Sequence, residues 1–390
     1  VRRPIVLLLF TAVFVAELGY SGIAPLLPTY RAEFGLTDLT TGLILTVSAI
    51  GILFVSLPAS ALSRHVSVRS LTLGGMIALT AGNVTVGITH AYAGVLAGRS
   101  LYGLGLGTMW VTGTAWLHDA AGDEGPRALA LTTAIVGAGS LVGPAVTGWL
   151  AERFDTGVPF LVLGLLTGAM LLILFLVPSV EGRERDASPP LADMLRAARA
   201  DHLMLTSLVL TLAVSMMWMS ADLLVPLRLD AQGFDAAQIG LAFSVASLVF
   251  ILSSTITSMR AERRATVRFA SAWTVAFVAS VLIAAVGTGT TATIAFLAAV
   301  GVTTGVMISL TYPLGAVGAK AGGFSVAVVG ALLNLVWAGA GLVGPTVGGA
   351  LAERVGDQVW FFALAILGAA SAAWMWLRRD RATSTAATTT

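Results

Sequence analysis

The sequence predicts an all-α polytopic membrane protein with twelve transmembrane helices in two six-helix bundles. Three observations carry this expectation. Of 390 residues, 57% are hydrophobic and 11% charged, with a mean hydropathy of +0.90, whereas a soluble domain carries about 25% charge. Apolar segments of about 20 residues recur along the whole chain, the length a helix needs to cross a bilayer. The segment LVGPAVTGWLAER at 141–153 returns 201 positions later as LVGPTVGGALAER at 342–354, with ten of thirteen residues identical. A repeat at that spacing reads as two related halves in tandem.

The first span is expected at 5–29. Its opening Val1-Arg2-Arg3-Pro4 suggests a signal peptide, but the apolar run extends to Pro28 with Glu17 inside it and no small-residue cleavage site, so it reads as a span. Five more follow at 39–61, 69–89, 92–117, 127–151 and 157–178. A polar interruption at 181–202 carries Glu181, Arg183, Glu184, Arg185, Asp186, Pro189 and Pro190, and its end, Asp193 to Arg199, has the composition of a short surface helix. The second six spans are expected at 203–226, 237–258, 268–287, 290–312, 324–350 and 357–377. The domains are therefore 1–180, a first bundle; 181–202, a cytoplasmic linker; 203–380, a second bundle; and 381–390, a threonine-rich disordered tail. With a cytoplasmic N-terminus, all but five of the 22 Lys and Arg fall on the inner side; Arg31, Arg153, Arg228 and Arg354 fall in outer loops and Arg99 inside span four. Both termini are then cytoplasmic. One Lys against 21 Arg fits high-G+C coding, and the expected location is a bacterial inner membrane.

Whole classes of chemistry drop out. Without cysteine there is no disulfide or thiolate metal site, and His65, His90, His118 and His202 never reach metal-ligand spacing. No phosphate-binding glycine loop and no serine nucleophile elbow occur. The Lys and Arg residues are scattered, which argues against a nucleic-acid partner. The chain reads as a non-enzyme without cofactor, driven by an ion or solute gradient. The pairs Gly94/Gly98, Gly103/Gly107, Gly139/Gly143 and Gly301/Gly305 suit close helix packing.

An ionisable side chain at bilayer depth costs at least about 2.5 kcal/mol unless it meets water or a partner. Glu17, Arg99 and Asp222 carry that cost. A dehydrated carboxyl favours its protonated form, and an approaching cation favours its ionised form. Glu17 and Arg99, at overlapping depths, thus read either as proton-exchange chemistry or as a fixed ion pair orienting two helices. Asp222, near Pro226, reads as a ligand contact or as a residue of the outer vestibule. Tyr20, Trp110, Trp218 and Tyr312 are the candidate aromatic lining of a substrate cavity. The methionines around Trp218 serve as adaptable surface or as lipid-facing filler. Trp149 and Trp360 read as interfacial anchors. Asn83 and Asn334 are embedded amides that need partners.

Over residues 4–380 the chain resembles the major facilitator superfamily, and within it the twelve-span drug:proton antiporters. Gly139-x-x-x-Gly143-Pro144-x-x-Thr147-Gly148 is similar to the antiporter motif of span five, with Thr147 in place of a glycine; the second-half copy has Gly344, Pro345 and Gly348-Gly349. Leu96-x-x-Arg99-x-x-x-Gly103-x-Gly105 is similar to the span-four motif whose arginine is linked to proton coupling, with Tyr102 at a glutamine-like position. After span two, Ser63-Arg64 replaces the usual Asp-Arg, leaving Arg64 and Arg69 as the basic residues of that loop motif; Glu262-Arg263 resembles a degenerate counterpart after span eight. The resemblance implies a cavity lined by spans one, four, seven and ten, alternating access, and a monomer whose partners are protons, a small organic substrate and the bilayer. The expected activity is export of a hydrophobic organic compound, neutral or cationic, in exchange for protons. Proton-coupled or facilitative carriage of a small metabolite is the alternative, disfavoured by the scarcity of Asn and Gln in those spans. A non-transporting membrane sensor is a third.

Overall fold

In a computed structural model, residues 2–63, 65–177, 191–259, 266–324 and 327–378 are described, and among them regular structure is entirely helical. Arg64, most of the predicted linker, the Glu262-Arg263 pair and the tail 381–390 lie outside the described residues. Eleven helical stretches are long and apolar enough to cross a membrane. The twelfth predicted span, four, is not one uninterrupted α-helix. It runs as α-helix over Tyr92–Thr108, widens into π-helix over Met109–Gly113, and returns to α-helix over Thr114–Ala121.

Span one comprises Arg2–Ser21, a 3-10 turn at Ala24–Leu26 and Leu27–Phe34. It closes at Gly35, whose φ of 61° is the left-handed conformation glycine adopts without a Cβ clash. Spans three, Val68–Ile88, and nine, Val267–Val286, open with side-chain caps: Ser70 N–H donates to Ser67 Oγ, and Phe269 N–H to Thr266 Oγ1. Spans seven, His202–Asp230, and ten, Thr290–Ala321, run past the predicted ends at 226 and 312. Pro226 and Pro313 sit inside them, because surrounding helices can absorb the missing N–H bond in a membrane helix.

The described residues group into two compact units, one of residues 2–177 with 229–244, the other of 191–228 with 245–378. In the first, Leu9, Met76, Leu79, Tyr102, Leu106 and Trp116 share a buried core. Spans three and four meet there so closely that a Cβ on Gly82 would lie 2.6 Å from Gly98 O, and one on Gly98 2.8 Å from Gly82 O. In the second, the short helix Leu191–Ala200 buries Met194 and Ala198 against Met204, Ala319, Val328 and Val329.

Arg228 departs from its predicted outer loop. It lies within span seven, 8% exposed, where Nε donates to Asp357 Oδ2 at 2.8 Å and Nη1 to the carbonyls of Ala284 and Gly287 at 3.0 and 3.1 Å. Phe361 covers the guanidinium at 5.1 Å. One side chain thus ties span seven to the end of span nine and the start of span twelve, Asp357–Arg378.

Candidate functional site

Glu17 follows from three local facts. Span one carries it on a face turned toward span five, Gly125–Arg153. Gly139 makes room for it, since a Cβ there would stand 2.6 Å from Glu17 Cβ. Ser140, the next residue, donates its hydroxyl to Glu17 Oε1 at 2.7 Å. The carboxylate is 9% exposed and borders a small, partly open recess lined by Val13, Ala16, Leu106, Met109 and Trp110. Trp110 stands in the π-helical segment of span four and is 37% exposed. The structure therefore brings Glu17 and Trp110 to one recess. A π-turn swings the residues it carries relative to the α-helix around it, a recurrent device at functional sites.

Arg99, 1% exposed, points at span one without bonding to the Glu17 carboxylate. Its Nη1 donates to Gly19 O at 3.0 Å, and its guanidinium lies 4.7 Å from the centre of the Tyr102 ring. The Tyr102 hydroxyl donates to Ala16 O. Span four thus grips span one by two main-chain oxygens that bracket Glu17. Tyr20 is half-buried and packs on the same core.

Downstream on span five, Gly143 lies against Leu18 and Ser21, and Gly148 against the main chain of Ala236. Pro144 is met by Gly240, and the neighbouring Ala145 N–H donates to Ser244 Oγ at 3.2 Å. Thr147, which departs from the motif's glycine, donates to Gly22 O at 2.7 Å. Arg69 donates to Phe175 O at 2.6 Å and so caps the last turn of span six, Val158–Leu176.

The second unit holds Trp218, Asp222, Gly344, Pro345 and Gly348. Trp218 Nε1 donates to Thr304 Oγ1 at 3.1 Å, and its ring meets Phe250 edge-on at 5.9 Å. Asp222, half-buried, is one turn further along span seven. Gly344 faces Met219 and Ser220, and Gly348 faces the Trp360 indole; Pro345 is buried in span eleven, Ala327–Val355. Trp360 is 8% exposed and donates to Ser220 Oγ at 2.8 Å, so it is a packed core residue instead of an interfacial anchor. Trp149 is 57% exposed and Tyr312 51%.

Comparison with known proteins places this arrangement. The family model described as Major Facilitator Superfamily matches residues 9–341. The chain belongs to the Major Facilitator Superfamily. It is accordingly a multi-pass membrane protein of a transporter family, whose members act on small organic substrates. Among curated relatives, it is 28% identical over 199 residues to the probable vesicular acetylcholine transporter-B of Danio rerio, covering 48% of this chain and 40% of that one. It is 22% identical over 148 residues to quinolone resistance protein NorA of Staphylococcus aureus (strain MRSA252), covering 38% of each. The chain thus spans less than half the length of these curated relatives. In fold it resembles a bacterial homolog of the human lysosomal transporter Spinster, solved inward-facing and occupied, with a TM-score of 0.79, 12% identity and 96% of both chains covered.

Several residues that build the site gave little sequence signal. Ser140 was visible only as the residue after a motif glycine, and Tyr102 only as a departure from a motif. Both act as neutral donors, which leave no cost signature in an apolar run. Arg228 was hidden by Pro226, which mimics a helix end.

Proposed function

We propose that this transporter exports a hydrophobic organic compound from the cytoplasm in exchange for protons, with Glu17 as the proton carrier. The observation that carries the reading is the placement of Glu17, a carboxylate at bilayer depth that borders a recess shared with Trp110 and Met109 and is oriented by Ser140. The Ser140 hydroxyl holds the carboxyl at the edge of the recess, where it can take up and release a proton as water enters and leaves. Arg99 acts through the span-one backbone and sets the register of Glu17 in the recess. Trp110 and Met109 offer adaptable apolar surface to the substrate. Relatives named for quinolone resistance and for a vesicular acetylcholine transporter support an organic substrate. The proposed setting is a bacterial inner membrane with both termini cytoplasmic, and the proposed working form is a monomer built from bundles 1–180 and 203–380.

Inside-out vesicles test it. A pH gradient, acid inside, is expected to drive uptake of ethidium or a fluoroquinolone, and Glu17→Gln is expected to abolish that uptake at unchanged expression. Unchanged uptake in Glu17→Gln would sink the role given to Glu17. Transport indifferent to the gradient in the unaltered protein would favour facilitative carriage of a metabolite.

A further inference from the structure

From Ala213 to Leu229 every residue of span seven is buried except two, Trp218 and Asp222. They are four residues apart and share one face of the helix. The other faces are occupied by packing ties: Ser220 receives the Trp360 indole, and Arg228 holds Asp357. The indole of Trp218 is fixed at its nitrogen by Thr304 and packs nearly perpendicular to the Phe250 ring. Thr304 spends its own hydroxyl proton on Val300 O, so its oxygen is set to accept from Trp218. Asp222 makes no hydrogen bond or ion pair with the described residues. A rigid aromatic face and an uncommitted carboxylate, one turn apart, are thus the only accessible surface along five turns of an otherwise sealed helix.

We propose that Trp218 and Asp222 form a cation subsite of the second unit, which takes a protonated or quaternary amine against the carboxylate and lays the attached apolar group on the indole. An intramembrane carboxylate with no internal partner calls for a cationic one. An indole face attracts the same charge through its quadrupole and covers the adjoining hydrocarbon. The inference rests on the export reading and deepens it: Glu17 carries the proton, and Asp222 reads the charge of the substrate.

The test uses the full chain in lipid nanodiscs and measures binding of a phenylpropyl-trimethylammonium ion against its neutral tert-butyl isostere. The unaltered protein is expected to prefer the cation by roughly tenfold, the scale of one screened ion pair near a partly hydrated carboxylate. Asp222→Asn is expected to lose the preference and keep the neutral ligand. Trp218→Phe is expected to weaken both ligands. Glu17→Gln is expected to retain the preference. The chain has no cysteine, so Asp222→Cys supplies a further arm: modification by an anionic methanethiosulfonate is expected to restore the preference, and by a cationic one not to. Equal binding of the two ligands by the unaltered protein, or a preference that survives Asp222→Asn, would overturn the subsite. A preference lost in Glu17→Gln and kept in Asp222→Asn would move the cation to the first unit. Failure of the Glu17 transport test leaves these binding results standing, so the two readings fail separately.

Discussion

Arg99 and Tyr102 leave span four three residues apart and end on main-chain oxygens of span one, at Gly19 and Ala16. The two bonds differ in kind: one is made by a buried cation, the other by a neutral phenol. Bonds to charged groups contribute about 1.5–3 kcal/mol and neutral ones about 1 kcal/mol. Tyr102→Phe is therefore expected to lower the thermal unfolding temperature of the detergent-purified protein modestly and Arg99→Gln substantially more. The reverse order would mean that Arg99 is not anchored as the geometry indicates. Arg228 gives a second prediction, because it has one carboxylate and two carbonyls around it. Arg228→Ala leaves Asp357 and both carbonyls without their donor and is expected to cost roughly 3 kcal/mol. Unfolding temperatures near that of the unaltered protein would deny the tie between spans seven, nine and twelve. At this scale the sequence revealed the expensive residues inside apolar runs and hid the inexpensive ones, along with Arg228, which stands just past Pro226. Glu17, Arg99 and Asp222 stand out because each violates an apolar run, whereas Ser140 and Thr304 violate nothing.

Between the spans, glycine sets how near two backbones can come. Gly82 and Gly98 face each other's carbonyls within 2.6–2.8 Å of any added Cβ, while Gly74, on the same span three, has nothing within 4 Å. Overpacking a helix interface costs about 1–3 kcal/mol even when neighbours can shift, and here the obstacle is backbone. Gly82→Val is expected to abolish the monodisperse peak in size-exclusion chromatography, and Gly74→Val to leave it intact. Loss of both peaks or of neither would show that the span three to span four contact is not the constraint. Helices were legible as elements because hydrocarbon thickness dictates their length, so all twelve expected segments correspond to helical stretches. Their ends were less legible. Proline normally argues for a stop, yet span ten continues from Pro313 to Ala321, and the π-turn at Met109–Gly113 has no composition signal.

Across the whole chain, the 201-residue repeat aligns scaffolds and leaves their chemistry different. The shift carries Glu17 onto Trp218, Ser140 onto Gly341 and Gly103 onto Thr304. Where the first unit sets a carboxylate against a serine, the second sets an indole against a threonine. The duplication was readable because packing glycines and prolines constrain many atoms at once; the divergence was not, since one substitution suffices to replace a carboxylate by an indole. Orientation in the membrane is a property at this same scale, carried by no single residue. Only four basic residues fall beyond the ends of the predicted spans on one side, and the proposed orientation follows from this bias because positively charged segments are retained on the cytoplasmic side. The absence of cysteine makes the consequence directly measurable. Glu353, exposed at the close of span eleven, and Glu124 and Lys320, exposed between spans four and five and at the end of span ten, are suitable single-cysteine positions. A membrane-impermeant maleimide is expected to label Glu353→Cys in intact cells, and to reach Glu124→Cys and Lys320→Cys only after permeabilisation. The opposite pattern would invert the protein in the bilayer and turn the proposed export into uptake.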